Sequence, residues 1–290
     1  MRLRTVAGFS FALKSNTASN FSVSLARIAF IAFLLLATCA FAQTTVTLQN
    51  GTNSYAGTID DWIVAFSGAN INQGTSTDLD IRSADTDRAL IRFAIFASEG
   101  GPVPNGVTIT SATLSLYEYH GPDAVIQATR LLRNWTEMGA TWNTTGTGTA
   151  WTVPGAGGAG TDVVSSADGQ GSIADADTNN CTVAPFPAAC WLNIDVTSGV
   201  QAFSSGTANF GWLLTQVSSS IPANYKDFNS KDITNFPTLR PRLTITYRQR
   251  DCSRSGTRGE VRRWAGVSTT GALVGNGQPG AQCRKVRDVF

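Results

Sequence analysis

Closely spaced aspartates are the residues of this chain whose type and spacing best fit the chemistry of metal binding. Calcium takes six to eight oxygen ligands, so clustered carboxylates and backbone carbonyls suit it. No feature of the sequence requires a cofactor. If the protein binds one, calcium is the ion that these carboxylates would accept. The candidate calcium ligands are Asp60, Asp61, Asp78 and Asp80, and two similar pairs are Asp85 with Asp87 and Asp175 with Asp177.

The segment that begins at Asp175 has the opening of an EF-hand calcium loop but not its remainder. An EF-hand needs glycine at the sixth loop position and glutamate at the twelfth. Here Asn180 stands at the sixth position and Phe186 at the twelfth. The sequence therefore excludes an EF-hand and leaves a calcium site in another loop as the alternative.

Aromatic side chains are the second group that could bind a ligand. A flat ring offers an apolar surface to the CH face of a sugar, and exposed aromatic residues mark such sites. The aromatic residues predicted to bind a ligand are Tyr55, Trp62 and Tyr225, because each lies near a polar turn. Large aromatic residues usually fill a core, and this is expected of Trp135, Trp142, Trp151, Trp191 and Trp212.

Catalysis has little support in this sequence, and no catalytic residue is assigned. A glycosidase needs two carboxyl groups across a cleft, and no such pair stands out. A lyase could use Tyr117, Tyr119 or His120 as acid and base. A histidine followed by Gly121-Pro122 is, however, more typical of a turn. The sequence leaves the question of an enzyme open and favours a non-catalytic protein.

Charge is distributed unevenly along the chain. Residues 43–247 contain nine basic and seventeen acidic residues, whereas residues 248–290 contain nine basic and three acidic ones. An acidic body repels nucleic acid and other polyanions. The sequence therefore predicts no nucleic-acid partner, and it favours a neutral glycan or a calcium-bridged ligand over a bare polyanion.

The amino-terminal segment, residues 1–42, has the pattern of an export signal. Basic residues precede the apolar run 28–37, and Ala40-Phe41-Ala42 offers small residues for cleavage before Gln43. The run is shorter than the roughly 20 residues that a membrane-spanning helix needs, although a membrane anchor is the alternative. The pattern predicts a mature chain without a membrane span, secreted to the extracellular space or the cell surface.

Removal of the signal would leave an even number of cysteines. Export makes disulfides plausible, and the spacing favours Cys181–Cys190 and Cys252–Cys283, one of three connectivities that four cysteines allow. Zinc is the rival interpretation, but there is no Cys-x-x-Cys pair and only one histidine, His120.

Short segments with a period of two dominate the body of the chain. Apolar residues recur at every second position from 89 to 95 and again from 112 to 116, which is typical of strands with one buried face. Glycine, proline, asparagine and aspartate clusters separate the segments. Residues 43–248 are predicted to form an all-β domain, an antiparallel jelly-roll-like β-sandwich. The basic, cysteine-containing tail, 249–290, is interpreted either as a sorting or attachment segment or as a disordered extension.

Seven segments with strand-like or turn-like character follow one another along the chain. They are ALIRF at 89–93, ITSATLSLYEY at 109–119, NWTEMGATWN at 134–143, AWTVPG at 150–155, WLNIDVTSGVQAF at 191–203, NFGWLLTQ at 209–216 and TLRPRLTITY at 238–247. In this order they resemble the DNRLRE domain family of secreted bacterial and archaeal proteins, and the resemblance covers about residues 45–247. It implies a β-sandwich found beside enzymes, adhesins and surface-layer components; some members are classed as carbohydrate-binding modules, and others occur in a disaggregatase acting on a cell-surface polysaccharide.

The residues and the resemblance together lead to one expected function and two alternatives. The expected function is a secreted, non-catalytic carbohydrate-binding or cell-surface adhesion protein, with a polysaccharide or a cell-surface glycan as its partner. One alternative is a polysaccharide-degrading enzyme of the disaggregatase kind. The other is a structural component of an extracellular matrix or appendage.

Overall fold

The computed structural model describes residues 43–82, 86–219 and 224–249. In this part of the chain there are eleven β-strands and one α-helix, α1, at Thr197–Ser204. The strands are β1 Gln43–Gln49, β2 Thr58–Val64, β3 Asp78–Arg82, β4 Asp87–Phe93, β5 Thr108–His120, β6 Ala124–Arg130, β7 Gly169–Ile173, β8 Trp191–Asp195, β9 Trp212–Ser219, β10 Tyr225–Asn229 and β11 Arg242–Arg248. The predicted signal segment, the Cys252–Cys283 bridge and all but the first residue of the basic tail lie outside the described residues.

The strands form two antiparallel sheets packed face to face. The first has the order β1-β11-β5-β10-β3, with β8 also paired to β5, and the second has the order β2-β4-β9-β6-β7. Within them, β1-β11-β5-β8 and β4-β9-β6-β7 are the two four-stranded layers of a jelly roll. The predicted all-β, antiparallel jelly-roll-like sandwich is therefore confirmed.

The core between the sheets follows from the alternation seen in the sequence. In the first sheet, Leu48, Leu243, Leu114 and Ile194 are neighbours in register, and all four are fully buried. Because successive side chains of a strand point to opposite faces, the residues beside them in each strand face outward. The register of the apolar positions thus decides what the outer surface displays.

The outer face of the second sheet is covered by loops that contain the tryptophan-rich segment. Trp135 and Trp151 pack there against Leu90 and Leu213, and only 1% and 4% of their surfaces are exposed. The indole of Trp135 donates a hydrogen bond of 2.8 Å to the carbonyl of Phe210. These tryptophans form a second small core rather than a sugar-binding surface.

A fully buried ion pair joins β5 and β10. Glu118 and Lys226 have no exposed side-chain surface, and the ammonium of Lys226 contacts the Glu118 carboxylate. The same ammonium donates hydrogen bonds of 3.0 Å to the carbonyls of Gly121 and Ala174. Burial raises the pKa of Glu118 to about 7, while Lys226 favours its ionised form. One cation therefore holds together two strands, the turn after β5 and the loop after β7.

Among the described residues, none of the helical segments is long and apolar enough to cross a lipid bilayer.

We expect Lys226→Met to lower the free energy of unfolding by about 3–5 kcal/mol at pH 8, because it leaves the Glu118 carboxylate buried without its cation. At pH 5 the loss should be smaller, since Glu118 can then bind a proton and become neutral. Guanidinium unfolding at both pH values measures the effect.

The matched control is Glu118→Leu combined with Lys226→Met, which removes both charges and should recover much of the stability. Equal losses in the single and the double variant, at both pH values, would show that packing rather than charge is responsible.

Candidate functional site

The outer face of the first sheet is exposed, unlike that of the second sheet, and we call it the open face. Thr47, Thr244 and Thr113 lie side by side on β1, β11 and β5. The hydroxyls of Thr47 and Thr244 lie 3.1 Å apart, and those of Thr45 and Thr246 lie 2.9 Å apart. This part of the open face presents rows of hydroxyl groups.

Further along the same strands, the open face becomes aromatic. Trp191 on β8 is in register with Tyr117 on β5, and their rings meet edge to face with centroids 5.3 Å apart. The guanidinium of Arg242 lies 3.9 Å from the centroid of the Trp191 ring. Next to this pair, the loop that carries Phe186 and the loop that carries Phe236 pack beside the sheet, and together with the open face they form a cavity.

This cavity, which we call the aromatic pocket, has a volume of about 260 Å³. Phe186 packs edge to face against both Tyr117 and Phe236, with centroids 6.0 Å and 4.8 Å apart. The lining combines aromatic rings with a few polar groups, and the residues that matter for its chemistry are Asp78, Tyr117, Tyr119, Phe186, Asn229 and Phe236.

Two local constraints place the loop residues of the aromatic pocket. The predicted disulfide Cys181–Cys190 is present, with its Cα atoms 5.6 Å apart, and it closes the loop that carries Phe186. The hydroxyl of Tyr117 donates a hydrogen bond of 2.8 Å to the carbonyl of Cys181. A short 3-10 turn at Pro237–Leu239 follows Phe236. Covalent closure and one hydrogen bond thus hold this wall against β5.

An acidic group lies at the end of the open face next to the aromatic pocket. Asp80 on β3 is in register with Asp227 on β10, and Asp78 is in register with Asn229. A β-bulge in the pairing of β5 with β10 brings His120 to Asp227, with 2.9 Å between Nδ1 and Oδ2. Three carboxyl groups and one imidazole therefore share this end of the sheet.

Electrostatics in this group favour the protonated form of at least one carboxyl. Burial, together with the carboxylates of Asp227 and Asp78, raises the pKa of Asp80 to about 7. Burial also raises the pKa of Tyr119, and its hydrogen bond with Asp78 adds to the effect. The rim of the aromatic pocket is therefore acidic and contains a proton that is shared near neutral pH.

The four predicted calcium ligands are divided between the two sheets. Asp78 and Asp80 lie on the open face, whereas Asp60 and Asp61 lie on β2. Asp60 accepts a hydrogen bond of 2.8 Å from the backbone N–H of Lys231, and Asp61 accepts one of 2.8 Å from the amide of Asn72. Burial raises the pKa of both Asp60 and Asp61 to about 8. The structure does not bring the four together.

One of them belongs to a group of carboxylates with the spacing of a metal site. Asp60, Glu137 and Asp232 each offer an oxygen within 4.8 Å of the others. The ammonium of Lys231 lies 3.1 Å from Glu137 Oε1 and 2.8 Å from Asp232 Oδ1. A side-chain cation thus already contacts two of the three carboxylates, and calcium binding stays a prediction.

The three predicted ligand-binding aromatics lie in different environments. Tyr55 and Trp62 are partly buried against the main core, and the Tyr55 hydroxyl donates to the carbonyl of Ala94 at 3.2 Å. Tyr225 lies on the open face, where the guanidinium of Arg82 is 4.1 Å from its ring centroid. Only Tyr225 is close in sequence and register to the aromatic pocket.

Sequence reasoning missed Phe186, Asn229 and Phe236 as site residues. Phe186 and Phe236 lie in loops without periodicity, so no pattern marks them. The signal that could have found Phe186 is its place between Cys181 and Cys190. Tyr119, considered above only as a lyase residue, does line the aromatic pocket.

Comparison with known families identifies one match. The model of the disaggregatase related repeat domain family matches residues 73–245, which is more than half of the chain. The chain therefore belongs to the disaggregatase related repeat domain family. The match includes every residue of the aromatic pocket and excludes Tyr55 and Trp62. No curated protein matches the chain.

We expect Asp80→Asn to raise the free energy of unfolding at pH 8 and to change it little near pH 4. Asp80 has a pKa of about 7 in the folded chain against an ordinary value of 3.8. The folded protein therefore binds this proton more tightly than the unfolded chain, and ionisation between these pH values reduces stability. Thermal unfolding from pH 4 to pH 8 measures this, with the exposed Asp177→Asn as control. A lower melting temperature of Asp80→Asn at pH 8 would contradict it.

We expect Cys181→Ser combined with Cys190→Ser to lower the free energy of unfolding by about 2–3 kcal/mol, because a loop of this length loses its closure in the unfolded chain. Guanidinium unfolding with and without reductant is the measurement. The variant should not respond to reductant, whereas the unsubstituted chain, once reduced, should approach the variant. A variant as stable as the oxidised chain would show that the loop is held by packing alone.

Proposed function

We propose that this member of the disaggregatase related repeat domain family is an extracellular, non-catalytic carbohydrate-binding or cell-surface adhesion protein, with the aromatic pocket as its binding site. The observation that carries this proposal is a cavity with aromatic walls on an uncovered sheet face. Ligand sites are typically concave, mostly apolar and supplied with a few polar groups that fix orientation. At about 260 Å³ the pocket is at the small end of such sites, which suits one sugar unit.

The surface beside the aromatic pocket supports a longer ligand. Ser115 donates a 2.6 Å hydrogen bond to the side-chain carbonyl of Asn193, and both stand one row from the Tyr117–Trp191 pair. The threonine rows lie beyond them. A polymer bound in the pocket would therefore meet the exposed amide of Asn193, the guanidinium of Arg242 and the threonine hydroxyls, which match the hydroxyls of neighbouring sugars.

Location and family add independent support. A buried disulfide fits an oxidising, extracellular environment, and the export pattern of residues 1–42 points the same way. The resemblance of seven segments to the DNRLRE domain family, some of whose members are classed as carbohydrate-binding modules, favours binding over chemistry.

A second candidate function is a polysaccharide-degrading enzyme, because His120 is hydrogen-bonded to Asp227 at the edge of the aromatic pocket. A carboxylate that orients an imidazole is a general-base arrangement, and Tyr119 stands beside it. The two carboxyl groups of Asp80 and Asp227, however, face each other across one strand pair, whereas those of a glycosidase stand on either side of the scissile bond. This favours binding.

We expect Phe236→Ala to weaken polysaccharide binding about tenfold, because it removes one ring from the wall of the aromatic pocket; a factor of ten corresponds to about 1.4 kcal/mol. Phe236 is 43% exposed, so its loss should leave the fold intact. Affinity electrophoresis against a panel of polysaccharides measures binding.

The control is Phe66→Ala, which removes an aromatic side chain that is 81% exposed and lies outside the aromatic pocket. Equal loss in both variants, or no loss in either, would place the site elsewhere. New reducing ends or unsaturated products that disappear in His120→Ala would instead support the enzyme.

A further inference from the structure

The charge of the aromatic pocket narrows the class of ligand that it can accept. Among the described residues that line the cavity, Asp78 is the only charged one. Asp80 and Asp227 stand two register pairs away, on the same face of the sheet, and the body of the chain has a large excess of acidic residues. A ligand group entering this cavity therefore meets a negative field.

The rings that form the wall reinforce that field. Phe186 meets Tyr117 at an interplanar angle of 85° and Phe236 at 68°. The rings of the wall thus lie at steep angles to one another instead of forming one flat stacking surface. The face of an aromatic ring carries the negative part of its quadrupole, and it attracts an organic cation at short range.

The position of the Asp78 carboxylate in the pocket is set by the pairing of β3 with β10. Asp78 is the first residue of β3 and is in register with Asn229 on β10. The hydroxyl of Tyr119 is hydrogen-bonded to Asp78, and Asn229 is only 5% exposed. A carboxylate fixed beside several aromatic rings is the arrangement by which proteins bind ammonium groups.

Other ligand classes fit this geometry less well. A uronate would place its carboxylate beside Asp78 and its acidic neighbours, which repel it. A hard metal ion needs six or more oxygens, and aromatic walls offer none. A neutral sugar would bind the rings but would leave the carboxylate of Asp78 without a matching charge.

We propose that the aromatic pocket binds the ammonium group of an amino sugar, so that the glycan partner of this protein carries free amines. The inference rests on the proposed function, because it assigns a ligand class to the same site. The ammonium lies among the aromatic rings and pairs with Asp78, while the sugar ring extends toward Trp191.

The test compares three oligosaccharides of equal length on the full, unsubstituted chain by titration calorimetry at pH 6. They are β-1,4-linked oligomers of glucosamine, of N-acetylglucosamine and of glucose. The glucosamine oligomer should bind at least tenfold more tightly than the other two. Near pH 9, where the amine loses its proton, it should be released, whereas its N-trimethylated form should stay bound.

Two matched variants separate a specific contact from the general acidity of the body. Asp78→Asn should weaken binding of the glucosamine oligomer about tenfold and leave the other two oligomers unaffected. Asp177→Asn removes the same charge at an exposed position that does not line the aromatic pocket and should have little effect. Circular dichroism checks that both variants are folded, and the comparison of oligomers needs no variant.

The results also distinguish failure of this inference from failure of the proposed function. Equal affinity for the amine and acetylated oligomers, or equal loss in the two variants, would overturn the ammonium assignment and leave glycan binding intact. Binding of none of the three, with no retention on a wider polysaccharide panel, would overturn both.

Discussion

The buried contact between Glu118 and Lys226 decides which residues this protein presents on its open face. On β5, Glu118 stands between Tyr117 and Tyr119; on β10, Lys226 stands between Tyr225 and Asp227. Because neighbouring strand residues point to opposite faces, burying the two charges turns their neighbours outward. Hydrogen bonds from Lys226 to the carbonyls of Gly121 and Ala174 then tie the flanking turn and loop to the same point. An ion pair in the interior contributes little net stability, but removing one partner is costly, so the contact supports the same facing of β5 and β10 that the apolar positions of the core impose.

The two outer faces of the sandwich differ because loops cover one of them and leave most of the other open. The second sheet is covered by the long segment between β6 and β7, and the tryptophans of that segment are buried against the sheet. Among the described residues, no loop covers β1, β11 and β8 in this way, so the threonines and Trp191 of the first sheet are at least partly accessible. The uncovered sheet is also the one to which the disulfide-closed loop adds an aromatic wall. Binding chemistry therefore concentrates on one side of the molecule.

The two groups of acidic residues, one around Asp60 and one around Asp80, differ in their surroundings. The group around Asp60 contains a cation of the chain itself, since the ammonium of Lys231 contacts both Glu137 and Asp232. The group around Asp80 has a histidine at its edge, and burial keeps the pKa of Asp80 near neutrality. The first group already contains a cation of the chain, whereas the second places one of its carboxylates, Asp78, in the lining of a cavity. That difference is why the aromatic pocket, and not the acidic loop near β2, is the better candidate for a cationic partner.

The sequence by itself determined the sandwich, most of its strands and the Cys181–Cys190 bridge, because period-two patterns and short cysteine spacings are local properties. It also indicated that most tryptophans would be buried, as Trp135, Trp151 and Trp212 are. Only the tertiary structure decided the site. Adjacent Asp60 and Asp61 looked like one ligand pair, yet strand geometry sends them to opposite faces. Phe186 and Phe236 lie fifty residues apart in irregular loops, and they meet Asp78 only because sheet pairing brings β3, β5 and β10 together. Contacts between residues so far apart in the sequence produce no periodic pattern in a single chain, so they cannot be predicted from it.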